Sequence, residues 1–318
     1  MVRSTAGFIS YDLRPAKQSE RRILLDLLKT AGDCGLPIPD YRYIGMGANR
    51  FYDFLLIHKY LGIANMISLE HDPVMFERAS FNCPYGFIKV LNKTATEFIA
   101  TEAFENPSIL WLDYDGGVAS NIAQDISSLS PKLRVGDFCF VTVFGGPPGA
   151  LARENSQARL RWFQDQLGDV AGDVTLADVE NSSFPKAVHK VLIAAFRNAF
   201  AVRREGRFVP FLQVKYADSL PMITVGGGFL ADGMIIDFTR RMKRVLPFLS
   251  ADEPKYYQIQ SLNLTERERV IFDRVTTRPS KRRTSQHNQL RKLGFDDGEI
   301  AAYKDLIRYL PRYVETIV

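Results

Sequence analysis

No uninterrupted apolar run approaches the ~20 residues that a bilayer-crossing helix needs, so no helical membrane span is expected. The opening stretch, MVRSTAGFISYDLRPAK, lacks the continuous apolar core of a secretory leader. Cysteine is scarce: Cys34, Cys83 and Cys139 are odd in number and far apart. That argues against a disulfide framework and against a cysteine-based zinc site. The four histidines, His58, His71, His189 and His287, show no metal-ligand spacing. Internal repeats and long low-complexity segments are also lacking. A cytoplasmic location in a reducing compartment fits these absences. Charge of one sign is not in large excess either, since the formal net charge is +5. Basic character therefore matters only where it is concentrated.

What the sequence does have is a rhythm. Its 318 residues, 46% hydrophobic and 24% charged, suit a globular protein with one large α/β domain and an appendage, or with two modest domains. Strand-length apolar runs alternate with helical patterns from about residue 20 to 205. YRYIGMG (41–47), NMISLEHD (65–72), FIKVLN (87–92), ILWLDYDG (109–116) and DFCFVTVFGG (137–146) read as strands. Helices are expected over SERRILLDLLKTAG, with Ser19 as its cap, and over RFYDFLLIHKYLG (50–62). Others open at Pro73 and Thr94, and another covers VASNIAQDISSL. Strands apolar on both faces are what a parallel sheet covered by helices requires, so a doubly wound α/β sheet is predicted.

After residue 205 the rhythm changes. RFVPFLQVKYA (207–217) and MITVGGGFL (222–230) are separated only by DSLP, too short for a parallel connection. The mostly parallel sheet, of seven strands, is thus expected to finish in an antiparallel hairpin. Gly226 to Gly228 read as a bulge or close backbone packing rather than a phosphate loop. Residues 1–248 are taken as the α/β domain with its N-terminal helix, and 249–318 as a small helical extension. In that extension NLTERERVIFDRV, capped by Thr265, and GEIAAYKDLIRYL flank a basic stretch.

Three short stretches carry the chemistry. In YIGMGANRFYDF (43–54), Gly45 and Gly47 lie one residue apart at a strand end. Such a pair makes either a plain tight turn or a loop whose backbone passes close under a bound molecule. In ISLEHD, Glu70 follows Gly47 by 23 residues, close to the ~20 expected between such a loop and a ribose-binding carboxylate. Asp72 reads as the cap before Pro73, and capping by all the polar residues of this stretch is the competing reading. In WLDYDG, Asp113 and Asp115 close the fourth strand, where open α/β sheets place ligands. Strand alternation points both to one side, with Tyr114 opposite. Two neighbouring carboxylates raise one pKa, which suits a general base. Holding a divalent metal, or capping the helix that starts near Val118, are the alternatives.

This strand order with these motifs resembles the class I (Rossmann-like) S-adenosylmethionine-dependent methyltransferase superfamily, and within it bacterial O-methyltransferase-like proteins. The resemblance spans roughly residues 20 to 230. It implies S-adenosyl-L-methionine as cofactor, bedded on Gly45, Met46, Gly47 and Asn49. Glu70 would take the ribose hydroxyls, with His71 beside it. Asn92 or Thr94 would lie near the adenine unless they cap the next helix. Asp113 would border both cofactor and acceptor, and Asp113 with Asp115 would be the catalytic pair. No metal is assigned. The acceptor, small or macromolecular, is an oxygen or a nitrogen. The chain departs from the superfamily pattern twice: Tyr43 stands where the first strand usually ends in an acid, and Asn49 where a third glycine is usual. Asparagine tolerates left-handed backbone angles, so the turn is expected to survive there.

The Asn/Asp-Pro-Pro-aromatic signature of amino-directed DNA methyltransferases is missing from the fourth strand. Cys83-Pro84 has the wrong order for a cytosine-C5 nucleophile. Both DNA-directed classes are disfavoured. A rival reading is a degenerate methyltransferase fold that docks a protein, nucleotide or nucleic acid through its basic C-terminal region. That region offers Arg278, Lys281, Arg282, Arg283, Arg291 and Lys292 with no acid among them. The same run also suits a solvated linker. A further alternative is a nucleotide-processing enzyme with a metal on the aspartate pair.

Overall fold

The structure is a computed structural model that describes residues 14–251, 255–277 and 285–311. Helix α1 (Pro15–Asp33) begins ahead of the expected Ser19 cap, with proline at its first position. Its first amides are capped from far away in sequence: Asp218 accepts from Ala16 N at 2.9 Å and from Lys17 N at 3.0 Å. Ser19 is therefore inside the helix, and its hydroxyl donates to Pro15 O at 2.9 Å.

The alternating elements then follow: β1 (Arg42–Gly45), α2 (Tyr52–Leu61), β2 (Asn65–Leu69), α3 (Pro73–Phe81), β3 (Ile88–Leu91) and α4 (Ala95–Thr101). Next are β4 (Ser108–Gly117), α5 (Ser120–Leu129), β5 (Phe138–Phe144), α6 (Ser156–Leu167) and α7 (Phe184–Phe200). The hairpin β6 (Arg207–Ala217) and β7 (Pro221–Leu230) leads to α8 (Asp232–Val245) and β8 (Tyr257–Ile259). The strands form one sheet in the order β3-β2-β1-β4-β5-β7-β6-β8. Strands β1 to β5 run parallel, and β7 lies antiparallel to both β5 and β6. The doubly wound sheet with its terminal hairpin is thus as expected. It has one strand more, because β8 joins β6 in parallel. Three residues without an apolar run gave no sign of it.

Alternate residues of each strand feed two cores, one on each face. Tyr43, Trp111 and Phe140 join α1, α2 and α8 on one side, whereas Ile44, Leu112 and Val141 join α5 and α7 on the other. Since β1 leads to β2 on one flank and has β4 on the other, the connections part company there. A crevice beyond the carboxyl ends of the strands at such a point is where doubly wound sheets bind ligands.

The glycine triplet is close backbone packing. A Cβ at Gly227 would sit 1.8 Å from Val209 O, opposite a register shift between Val209 and Leu212 in β6. In the last part, α9 (Glu266–Thr277), α10 (Ser285–Lys292) and α11 (Asp297–Leu306) share a small core of Phe272, Leu290, Ile300 and Tyr303. Helix α10 occupies part of the stretch read as a basic linker; its Leu290 is buried. No helix among the described residues is long and apolar enough to cross a membrane.

Candidate active site

Beyond β1 the chain turns through residues 46–51 in an unexpected way. The left-handed angles fall on Ala48 (φ 45°) and Phe51 (φ 52°), not on Asn49. A bulky residue there is strained by about 1–2 kcal/mol; Phe51 is held because its ring is fully buried against Phe54, 5.5 Å between centroids. The two glycines make room for the protein's own side chains. A Cβ at Gly47 would meet Phe51 and Ser68 atoms at 2.8 Å, and one at Gly45 would meet the Tyr43 hydroxyl at 2.7 Å. Gly47 N also donates to Ser68 Oγ at 3.0 Å. Tyr43 is packed edge-on to Phe54 in the core and does not plug the crevice.

That crevice is a cleft of about 320 Å³ lined by the ends of β1, β2 and β4, the start of α2, and α1. Met46, Gly47, Glu70, His71, Asp113 and Asp115 all border it. Gly45, Asn49 and Asn92 lie behind the lining. Glu70 stands at the end of β2, where its Oε1 accepts from Asp72 N at 3.0 Å. Asp72 caps α3 through Met75 N at 2.9 Å, as its place before Pro73 predicts. Asn92 is neither cap nor lining: its amide donates to the carbonyls of Glu70 (2.9 Å) and His71 (3.2 Å) and so fixes the backbone under both. Thr94 borders the cleft and also forms a capping box with Glu97 at the start of α4.

A bulge holds the aspartates at the end of β4. Pairing with β5 slips between Asp113 and Gly117, and the following helix starts at Ser120 with no side-chain cap. Capping therefore does not explain the pair. Tyr114 turns its hydroxyl to Asp125 at 2.6 Å while its side still borders the cleft. Asp113 meets the buried Lys17 Nζ at 2.8 Å, and the same ammonium lies 2.9 Å from Glu20. Glu20 in turn accepts from Thr224, which pairs with Thr142 at 2.7 Å; Trp111 Nε1 donates to Thr142 at 2.9 Å. Asp115 is at the solvent-exposed mouth. Partial desolvation, then the like charges of Asp113 and Glu70, push its carboxyl above the ordinary aspartate value.

Sequence reasoning missed the contribution of α1. Lys17, Glu20 and Arg21 precede an apolar stripe and nothing in the sequence pattern singles them out, yet all three are buried. Arg21 borders the cleft, is ion-paired to Asp53 at the start of α2, and lies 5.7 Å from the Tyr52 ring. Its Nη1 is buried without a hydrogen-bond partner. The only advance signal was Pro15, which fits a helix start and so brings these charges inside the first turns.

The residues fit a cationic adenosine-type cofactor on three counts. The volume falls in the range of small-molecule sites, roughly 300–1,000 Å³. The lining sets four carboxylates, Asp53, Glu70, Asp113 and Asp115, against Arg21 and Arg50, which favours a positive charge. A buried guanidinium N–H also awaits an acceptor.

With this fold and cleft, a family model described as "Putative O-methyltransferase" matches residues 9–318. The chain belongs to that family, and it is an S-adenosylmethionine-dependent methyltransferase of the class I fold. S-adenosyl-L-methionine is its cofactor. No curated protein matches the chain. Among solved structures, it is similar to the N-methyltransferase NodS from Bradyrhizobium japonicum WM9, at 10% identity and TM-score 0.39, covering 69% of this chain and 99% of that one. Cofactor-bound Rv0187 from MTB is 15% identical at TM-score 0.41, over 71% of this chain and 86% of that one. A "putative O-methyltransferase" from Klebsiella pneumoniae is 14% identical at TM-score 0.41, over 70% and 84%. The nucleic-acid expectation receives no support from these matches. Arg278, Lys281, Arg282 and Arg283 lie outside the described residues, and Arg291 and Lys292 are exposed at the end of α10.

Proposed function

We propose that this chain transfers a methyl group to an oxygen nucleophile, with the donor across the ends of β1 and β2 and the acceptor beside β4. One observation carries this reading: Glu70 and the Asp113–Asp115 pair end the two strands that flank β1, and all three face the same cleft. Glu70 takes the ribose hydroxyls, a bidentate task suited to a carboxylate. Met46 and Gly47 form the bed, His71 is at the rim, and Asn92 keeps the Glu70 backbone in place. Gly45 and Asn49 act indirectly, by shaping the turn. The sulfonium supplies a methyl that is already electrophilic, so alignment of the acceptor carries much of the rate. Asp113, pinned by Lys17, is the fixed negative charge near the donor. Asp115, with its raised pKa, takes the acceptor's proton. The family description favours oxygen over nitrogen as the acceptor atom.

Calorimetric titration with S-adenosylmethionine and S-adenosylhomocysteine tests the donor half. The expected result is saturable binding that weakens about ten- to hundredfold in Glu70→Ala, the loss of a charge-assisted hydrogen bond. A folded wild type that binds neither ligand, or an unchanged affinity in Glu70→Ala, refutes the reading.

A further inference from the structure

We infer that Arg21 and Asp53 form a subsite for an α-amino-acid head group, the guanidinium taking its carboxylate and the aspartate its ammonium. The inference rests on the donor reading above and assigns this pair to the amino-acid end of the donor. Arg21 reaches the cleft from α1, and its Nε bonds the Asp53 carboxylate, which fixes the plane of the guanidinium. The Tyr52 ring lies 5.7 Å away and braces the same group. Only 4% of Arg21 is exposed, yet Nη1 has no acceptor, an arrangement that is costly unless a bound group completes it.

Charge matching supports the same assignment. The Arg21–Asp53 pair is neutral, and so is a zwitterionic head, so neither is left with an unbalanced buried charge. A guanidinium fork suits a carboxylate. Asp53 and Tyr52 are in the first turn of the ten-residue helix α2, whose N-terminal end favours an anion. The turn at Met46 and Gly47 lies immediately upstream. Position 43 bears a tyrosine facing the core, so the strand end offers no acid to an ammonium. Asp53 puts a carboxylate on the cleft wall beside that strand end instead.

The test compares S-adenosylhomocysteine with 5′-methylthioadenosine, which keeps the adenosine and thioether but has no amino-acid head. Calorimetry on the full chain is expected to show a preference of about ten- to hundredfold for S-adenosylhomocysteine. In the paired variant Arg21→Gln with Asp53→Asn, that preference should collapse while methylthioadenosine affinity and melting temperature hold. Changing both residues avoids leaving one buried charge alone. Arg21→Lys, which keeps the charge and loses the fork, serves as a second variant and should show a partial loss. Equal binding of the two ligands by wild type, or a preference that survives the paired variant, overturns the inference. Binding of both that disappears in Glu70→Ala leaves the donor reading intact in that event. Binding of neither removes both.

Discussion

A fully buried lysine is tolerable at Lys17 because two carboxylates meet it. Burial pulls its pKa down, but Asp113 and Glu20 more than offset this and hold it well above the ordinary lysine value. Its stabilising contribution is thus complete below the unfolded lysine value and is lost only as pH rises through the folded one. Glu20 behaves in the opposite sense. Burial raises its pKa despite Lys17, so its ionisation costs stability as pH rises past the ordinary glutamate value. Lys17→Met is expected to destabilise by about 3–5 kcal/mol in urea unfolding, because two carboxylates lose their counterion. Adding Glu20→Gln should recover part of that loss; if the two costs simply add, the groups are not coupled. Such residues were illegible in sequence, because a charged helical segment reads as a wet face. Glu70, Asp113 and Asp115 were legible because each ends an apolar strand run. The strained Ala48 and Phe51 were not, since neither residue type advertises a left-handed backbone.

Elements in this chain are held by partners far along the sequence. The hairpin β6–β7 shows this on both its ends. At the turn, Asp218 caps α1 and thereby anchors the end of the helix that carries Lys17 behind Asp113 and Arg21 at the cleft wall. Within the strands, Gly227 lets the backbone of β6 bulge past it. Gly227→Ala is expected to cost about 3 kcal/mol or more, because its Cβ would collide with the Val209 carbonyl, which is backbone and cannot swing aside. A melting temperature within two or three degrees of wild type would show that the strand relaxes instead. The triplet was readable as close packing from the sequence, since three glycines inside a strand run leave few other uses. The start of α1 was misplaced because local capping rules favoured Ser19, whereas its actual cap is contributed by the hairpin.

At the scale of the whole molecule, the last segment bears on the site through α1. Leu306 and Tyr309 are buried in the main core with α1, not only among the helices of their own segment. The Tyr309 carbonyl accepts from Arg22 Nη1 at 2.9 Å and from Ser19 Oγ at 3.3 Å, while its hydroxyl donates to Asp26 at 3.0 Å. Arg308 pairs with the same aspartate at 3.1 Å. Among the described residues the core private to α9, α10 and α11 has four buried side chains, far too few to support a separate fold. We propose that the described residues after 249 form an extension that clamps α1 through Arg308 and Tyr309, and through it Lys17 and Arg21, rather than a unit with its own stability. A separate helical extension is an expectation from the sequence; the hold on α1 has no sequence signal, because it depends on contacts nearly 300 residues apart. A chain ended after Ala251 is expected to melt well below the full chain and to lose S-adenosylhomocysteine binding in the same step. Tyr309→Ala isolates the contact itself and should cost about 3 kcal/mol as a buried aromatic truncation, with weaker ligand binding in parallel. If the truncated chain keeps both its melting temperature and its affinity, α1 is held by the sheet and α8 alone, and the extension has some other use.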